Sequence, residues 1–289
     1  MSEYSFVEIL YHCITPLHVG CGQDVGIVDL PVIRERTTGW PFIPGSGIRG
    51  SLRNRFESRS DGASAMTSRL LGNDDGGDIS SGCVSILDAR LLLFPVRSAP
   101  GPFRWITCPY ALQRYRADLD YFTGTPAPVW APPRLTEGQY SSAAGADLAL
   151  EEFPFTRFTE PSTWQTALPG PLPGWIDGAR VVLVTDDVFF YFVQHATIVA
   201  QHNRLTSAKT VVKGGLFSVE SVPSETVFYA FFGSTRERRK GNGALDRSQV
   251  ASELRKLTLG EAPGASEAHL ILGGDESTGL GVTRLAWRS

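Results

Sequence analysis

The sequence lacks the apolar segments that membrane insertion and secretion require. Its 289 residues contain no uninterrupted apolar run of about 20 residues, the length that a helix needs to cross a bilayer. The N-terminal stretch MSEYSFVEIL has no basic region followed by an apolar segment, so we predict no signal peptide. We therefore expect a cytoplasmic protein that has no membrane partner.

Cysteines are few and widely spaced. The sequence has four of them, Cys13, Cys21, Cys83 and Cys108, and no two form the C-x-x-C pair of a structural zinc site. We expect all four to be reduced. Cys21 lies in a Gly-Cys-Gly stretch, and we expect this cysteine to be exposed to solvent.

The sequence also lacks an excess of positive charge. It has 27 lysines and arginines against 30 aspartates and glutamates, a formal net charge of −3 at pH 7. No global basic field therefore attracts nucleic acid, and such binding must come from a local patch. Residues 34–55 form either such a patch or an ordinary solvated face, with Arg34, Arg36, Arg49, Arg53 and Arg55 against Glu35 alone.

The common catalytic constellations are absent as well. The sequence has no HExxH motif and no phosphate loop ending in Gly-Lys-Ser/Thr, and its histidines have no metal-ligand spacing. Asp29 stands between apolar residues before Leu-Pro, where an aspartate is either a turn residue or a lone catalytic carboxylate. His18 precedes a glycine-rich stretch, as a general acid or base or as a packed loop histidine.

Apolar periodicity predicts an α+β fold. The stretch SFVEILYHCI (5–14) is rich in β-branched and aromatic residues, which is typical of a strand. A helix follows with Ser46 as its N-cap, because apolar residues recur at i, i+4 and i+8 from Ile48. The order of the later elements indicates helices on one face of an antiparallel sheet. A polar, glycine-rich stretch at about 200–222 predicts a projecting hairpin.

Prolines concentrate in the middle of the chain. Nine of the 19 prolines lie between Pro126 and Pro173, among glycine, serine and alanine. This composition is typical of irregular structure. We therefore assign 121–177 to an irregular insertion, and 1–120 together with 178–289 to the core.

Two glycine-rich stretches are candidate phosphate sites. The helix that Pro-Gly-Ser opens has free N–H groups and a dipole that favours an anion, and two arginines share a separate stripe. The loop GGDESTGLG (273–281) has four glycines, which let a backbone come close to a ligand or simply turn a hairpin. The candidate contact residues are Ser46, Gly47, Arg49, Gly50, Arg53, Gly273, Gly274, Thr278, Gly279 and Gly281.

Several segments, taken together and in order, carry a family resemblance. They are TPLHVGCGQ (15–23), GIVDLPVIRERTTGWPFIPGSGIRGSLR (26–53), LDARLLLFPVRSAPGPFRWITCP (87–109), GGLFSVESVPSETVFY (214–229) and LILGGDESTGLG (270–281). The chain resembles the RAMP superfamily of CRISPR proteins. More narrowly, it looks like the repeated backbone subunit of type III-B, or Cmr-type, effector complexes. The segment 120–178 carries little of this resemblance.

The resemblance implies an RRM-like (ferredoxin-like) core and a set of partners. Copies of such a subunit stack into a helical backbone on guide crRNA, beside other type III effector subunits, and receive a complementary target RNA. The hairpin at 200–222 would be the thumb that enters the guide–target duplex at regular intervals. Here the chain departs from the family, with QHNRLTSAKT at the start of the thumb, so individual thumb contacts are not carried over.

The resemblance also implies a nuclease in which Asp29, the aspartate of the VD-x-P motif, is needed to cut target RNA. Because RNA supplies its own nucleophile, the 2′-hydroxyl, one carboxylate suffices, alone or with Mg²⁺ or Mn²⁺. The products would be a 2′,3′-cyclic phosphate and a 5′-hydroxyl. His18 matches a family position as well.

Three other interpretations remain open from the sequence. The first is a non-catalytic guide-binding scaffold in which Asp29 only shapes a loop. The second is a guide-processing nuclease of the same superfamily with His18 as acid or base. The third lies outside the superfamily, a small-ligand or sugar-binding α+β protein whose glycine loop holds a phosphate.

Overall fold

A computed structural model describes residues 3–22, 26–58, 63–72, 81–126, 130–143, 145–160, 162–238, 243–262 and 264–288. The α-helices are α1 (Gly45–Glu57), α2 (Ala63–Leu71), α3 (Pro109–Thr123), α4 (Asp186–His195) and α5 (Arg247–Leu259). The strands are β1 (Ser5–Cys13), β2 (Phe42–Ile43), β3 (Val84–Ile86), β4 (Ala89–Ala99), β5 (Phe103–Thr107), β6 (Gln139–Tyr140), β7 (Leu148–Leu150), β8 (Phe153–Arg157), β9 (Val181–Leu183), β10 (Ile198–Leu205), β11 (Val211–Ser221), β12 (Val227–Ser234), β13 (Glu267–Ile271) and β14 (Val282–Arg288). Short 3-10 helices cover Trp164–Ala167, Gly178–Arg180 and Glu276–Thr278.

The strand predicted at 5–14 is confirmed as β1, and it lies inside the main sheet. It pairs antiparallel with β12 on one side and with β14 on the other. The sheet runs in the order β13-β14-β1-β12-β4-β7-β8-β6. The chain that leaves β1 at Cys13 therefore emerges between the end of β14 that follows the glycine-rich loop and the end of β12 that follows the hairpin.

Helices cover both faces of this sheet, so the prediction of helices on one face is wrong. Ile9 and Tyr11 of β1 belong to a core cluster that includes residues of α1, α2 and α5. Leu10, which points the opposite way, belongs to a second cluster that includes residues of α3. The physical reason is present in β1 itself, because consecutive apolar residues bury a strand on both faces.

The helix predicted after residue 45 is confirmed, but its N-cap is not Ser46. The helix begins at Gly45, and the residue before it, Pro44, has φ −57° and ψ 135°. The Gly45 N–H donates to the Asp88 carboxylate at 2.7 Å, so a carboxylate from the connection between β3 and β4 already meets this helix end. Glycine is required at 45 because a Cβ there would clash with the Ile86 carbonyl oxygen. Sterics and a distant carboxylate therefore set the start of α1.

The proline-rich segment is joined to the body of the molecule. Its strands β6, β7 and β8 extend the main sheet beyond β4. Trp164 is fully buried in the cluster around α3, and Tyr140 is buried in the other cluster. Proline and glycine mark its irregular path, but Trp164 and Tyr140 pack in the core. The assignment of 121–177 as an insertion into the domain stays a prediction.

A separate two-stranded sheet lies at the position of the predicted hairpin, and the thumb role of that hairpin stays a prediction. β10 and β11 pair antiparallel from Ile198 with Ser221 onward and form no part of the main sheet. Val211 and Leu216 are exposed on this hairpin at 55% and 65%.

The helices in the described ranges include none with the length and apolar character of a membrane span. The four cysteines are free, and Cys21 alone among them is exposed, as expected.

Candidate functional site

Three parts of the chain that are distant in sequence meet at strand β11 of the hairpin. Leu17 pairs with Val222, and Leu30 forms a parallel bridge with Val219, so the chain between β1 and α1 runs along β11. The glycine-rich loop between β13 and β14 packs on the same segment, because the Gly281 N–H donates to the Pro16 carbonyl at 2.8 Å. The structure thus brings Asp29, His18 and the 273–281 loop into one neighbourhood.

Asp29 is an exposed carboxylate whose side chain is held by the hairpin. Its Oδ2 accepts from the Ser218 backbone N–H at 2.7 Å and from the Ser218 hydroxyl at 2.8 Å. These bonds, first the one from the backbone N–H, lower the pKa of Asp29 below its ordinary value. The carboxylate is therefore charged at neutral pH. It is able to orient a hydroxyl or attract a cation.

His18 is buried, with its ring bound inside the protein. Its Nδ1 lies 2.6 Å from the Glu220 carbonyl oxygen, and since a carbonyl only accepts, Nδ1 carries a hydrogen and donates. Its own carbonyl accepts from the Gly274 N–H at 2.8 Å. Within the described ranges, no hydrogen bond joins His18 to Asp29. His18 therefore links β11 to the glycine-rich loop.

Glu220 is a central residue of this neighbourhood that the sequence analysis missed. Its carboxylate pairs with Arg34 at 2.6 Å and accepts from the Val32 N–H at 3.0 Å. Arg34 also donates to the carbonyls of Gly39 and Val193. A carboxylate inside the apolar stretch LFSVESV was the available signal. Because Glu220 is 7% exposed, this pair is an internal tie between β11 and the chain that carries Asp29.

The glycines of the 273–281 loop fall into two groups. Gly273 and Gly281 have φ of +78° and +81°, and a Cβ on either would clash with a backbone carbonyl, that of His18 or of Leu272. These two glycines allow the loop to pack on the protein itself. Gly279 has φ +87° with open space around it, and Thr278 donates to the Asp275 carbonyl at 2.8 Å. The exposed tip is the part available to a ligand.

We expect Gly273→Ala to lower the free energy of unfolding by about 2–3 kcal/mol, because it combines a left-handed backbone with a steric overlap. Urea or thermal unfolding measures the change. Gly274→Ala is the matched control, since a Cβ there would lie at ordinary contact distance, 3.6 Å from His18 Cδ2. Equal stability of the two variants would contradict the packing role of Gly273.

The first two turns of α1 present an open, small-residue face. Ser46, Gly47 and Gly50 are exposed, and a Cβ at either glycine would meet nothing within 4 Å. Glycine inside a helix costs about 1 kcal/mol relative to alanine, and no internal contact requires it at these positions. The face is therefore suited to close approach by another backbone.

Arg49 and Arg53 form the predicted stripe, but their guanidinium groups are used inside the protein. Arg49 donates to the Leu71 carbonyl, and Arg53 donates to the Gly72 carbonyl at 2.6 Å and pairs with Glu57 at 3.3 Å. Both arginines therefore satisfy carbonyls at the C-terminal end of α2. Some of the five donors of each guanidinium remain for other partners.

The patch predicted across 34–55 is not a continuous free basic face. Arg34 is tied to Glu220, and Arg55 donates to the His269 carbonyl at 2.7 Å. Glu35 pairs with Arg114, from α3, at 2.6 Å. Arg36 is exposed. The reason is that tertiary contacts give most of these arginines carbonyl or carboxylate partners that their spacing does not reveal.

Residues suited to hold a metal ion by themselves are not clustered. Within the part of the chain that the structure describes, no group of three or more His, Cys, Asp or Glu side chains is placed to bind a metal ion. Asp29 stands as a single exposed carboxylate. One protein carboxylate is nevertheless compatible with Mg²⁺, which in phosphate chemistry takes most of its ligands from water and substrate phosphates.

Comparisons with known proteins agree on a family. The model of the RAMP superfamily matches residues 11–284. The chain is 29% identical over 287 residues to the CRISPR system Cmr endoribonuclease Cmr4 of Pyrococcus furiosus, covering 95% of this chain and 92% of that relative. The similarity therefore extends over nearly the whole of both proteins.

Solved structures share the fold along the full length. A chain of the cryo-EM structure of the Type III-B Cmr-beta bound to cognate target RNA superposes with a TM-score of 0.77 at 20% identity, covering 99% of this chain and 98% of that chain. The crystal structure of oligomeric Cmr4 from Pyrococcus furiosus gives 0.70 at 24% identity, with 98% and 97% covered. The architecture is therefore common to all three.

Proposed function

The chain belongs to the RAMP superfamily, and on that premise we propose that it is a repeated backbone subunit of a type III-B CRISPR ribonucleoprotein. In this role it binds guide RNA and cleaves complementary target RNA. The proposal is supported by the nearly full-length similarity to a protein named a Cmr endoribonuclease. The observation that carries it is the exposed, charged Asp29, whose side chain is held by Ser218 of strand β11.

In the chemistry that we propose, the RNA supplies the nucleophile, and the protein supplies one carboxylate and the geometry of attack. The 2′-hydroxyl of the target loses its proton and attacks the adjacent phosphate, and the bond from phosphorus to the 5′-oxygen of the next nucleotide breaks. The leaving 5′-oxygen takes a proton from water. The products are a 2′,3′-cyclic phosphate and a 5′-hydroxyl. Asp29 orients the 2′-hydroxyl or receives its proton, while the hairpin, acting as the thumb, displaces one nucleotide so that attack in line becomes geometrically possible.

We propose that cleavage uses a divalent ion, Mg²⁺ or Mn²⁺, held by Asp29 together with RNA phosphate oxygens and water. The lone exposed carboxylate fits such a shared site better than a site made by the protein alone. A bound ion would lower the pKa of a coordinated hydroxyl and offset charge that develops on the phosphate.

Guide RNA is proposed to meet two surfaces. The first is the open face of α1 at Ser46, Gly47 and Gly50, with Arg49 and Arg53 adding positive charge nearby. The second is the exposed tip of the glycine-rich loop at Thr278 and Gly279, which its other glycines, Gly273, Gly274 and Gly281, support. Because guide sequences vary, these contacts go to phosphates and sugars and not to base edges.

The remaining assignments follow from the same proposal. The main sheet with its helices would contain the RRM-like core, and β10–β11 would be the thumb. The partners would be further copies of this chain, guide and target RNA, and other type III subunits. A solved relative described as oligomeric supports the first of these partners. A cytoplasmic location suits four cysteines without a disulfide.

The test is cleavage of a labelled target RNA by the assembled complex, with one 2′-deoxynucleotide at a position that is cut in the all-RNA target. We expect that cut to disappear, by about 100-fold or more, because its nucleophile is missing, while cuts elsewhere continue. Addition of EDTA should stop every cut. A deoxy position that is cut at the normal rate would contradict 2′-hydroxyl attack, and binding of target without any shortening would leave the chain a scaffold.

A further inference from the structure

The hairpin and the carboxylate of Asp29 are connected by one side chain. We propose that Ser218, on strand β11, is a positioning residue that sets the orientation of Asp29 for cleavage. This inference rests on the proposed function, because it assigns to Ser218 a part in the reaction in which Asp29 acts. Neither the motifs of the sequence nor its periodicity pointed to Ser218.

The contact between the two residues is reciprocal. The Ser218 hydroxyl donates to Asp29 Oδ2 at 2.8 Å and accepts from the Asp29 backbone N–H at 2.9 Å. The Ser218 backbone N–H donates to the same Oδ2 at 2.7 Å. Because both bonds to the carboxylate end on one oxygen, rotation of the carboxylate is restricted. Ser218 is only 3% exposed, so its side chain is fixed by the surrounding protein. This fixed side chain holds the carboxylate of Asp29, which faces solvent.

The backbone around Asp29 is held independently of the Ser218 hydroxyl. The Leu30 N–H donates to the Ser218 carbonyl at 3.0 Å, and the Glu220 N–H donates to the Leu30 carbonyl at 2.9 Å. Glu220 adds its bond to the Val32 N–H. Removal of the hydroxyl therefore leaves this segment docked on β11. The change is confined to the freedom of the Asp29 carboxylate and one bond to its backbone.

The same geometry makes Asp29 depend on the position of the hairpin. β11 pairs with β10 in a sheet of its own, and Ser218 faces Gln201 across that pair. A displacement of β11 moves Ser218, and Asp29 moves with it.

The experiment compares Ser218→Ala with wild type in the assembled complex, measuring the single-turnover cleavage rate and the target dissociation constant separately. We expect the rate to fall about tenfold, the effect of losing one hydrogen bond to a charged group, with affinity unchanged within about twofold. In an Asp29→Asn background the same change should have no further effect. Ser221→Ala, on the same strand, is the matched control and should cut at the wild-type rate.

The outcomes separate this inference from the proposed function. If Asp29→Asn is inactive while Ser218→Ala cuts at the wild-type rate, the positioning role is overturned and the proposed function stands. If Ser218→Ala loses affinity as much as rate, Ser218 supports the hairpin and not the carboxylate, and the inference is overturned as well. If Asp29→Asn cuts normally, the proposed function fails at this residue.

Discussion

Asp29→Asn should reduce the single-turnover cleavage of a guide-matched target RNA by about 100-fold or more while binding of guide and target is retained. Asparagine keeps the size of the side chain and an oxygen that accepts from the Ser218 N–H. It removes the negative charge, and with it the ability to take a proton or hold a divalent ion. The measurement is the rate of appearance of shortened product from a labelled target with Mg²⁺ or Mn²⁺.

A matched control shows whether the loss is specific to this carboxylate. Asp187 is an exposed aspartate on α4, remote in sequence from the site, and Asp187→Asn should leave the cleavage rate within about twofold, as is usual for a surface substitution. Equal cutting by Asp29→Asn and wild type would move catalysis to another residue or subunit. Loss of RNA binding together with cleavage would assign Asp29 to the binding surface.

Glu220→Ala should lower the free energy of unfolding by about 3–5 kcal/mol, because it leaves a largely buried guanidinium without its carboxylate. The side chains of Arg34 and Glu220 are 19% and 9% exposed, so solvent replaces little of what is lost. The Val32 N–H loses its acceptor too. We expect the chain around Asp29 to loosen and cleavage to fall. Urea unfolding measures the stability, and amide hydrogen exchange over 26–34 measures the loosening.

An exposed ion pair supplies the control for this result. Arg97 and Glu151 lie 2.9 Å apart, with side chains 73% and 29% exposed. Such pairs contribute about 0–1 kcal/mol, so Glu151→Ala should change little. If Glu220→Ala were no more destabilising than Glu151→Ala, the pair with Arg34 would not be the tie between β11 and the segment that carries Asp29.

Local patterns predicted the elements well. The apolar stripe that starts at Ile48 is buried in α1, and Asp246 forms a capping box with Gln249 at the start of α5. Such features depend on residues within a few positions of each other, so the sequence displays them directly. The N-cap of α1 was missed because Pro44, Gly45 and the Ile86 carbonyl decide it, and Ile86 is distant in sequence.

Such local patterns do not reveal hydrogen-bond partners that are far apart in sequence. The arginines at 49 and 53 bind carbonyls at the end of α2, and Arg34 binds a carboxylate 186 residues away. Spacing identifies a positive charge but not the group that will meet it. Most arginines of the predicted basic face therefore form hydrogen bonds or ion pairs inside the protein. The exposed glycines of α1, by contrast, have no internal contact that prevents close approach by a ligand.

The sequence by itself determined the α+β composition, the lone Asp29 in its motif, the glycine-rich loop and the family that these segments resemble. Tertiary structure alone decided that helices cover both faces of the sheet, that Ser218 holds Asp29 and that Glu220 ties His18 and Arg34 to the hairpin strand. The physical reason is one of range. Periodicity and capping act over a single turn or strand, whereas the hydrogen-bond partners of Asp29 are set by the docking of β11 against a segment 189 residues earlier.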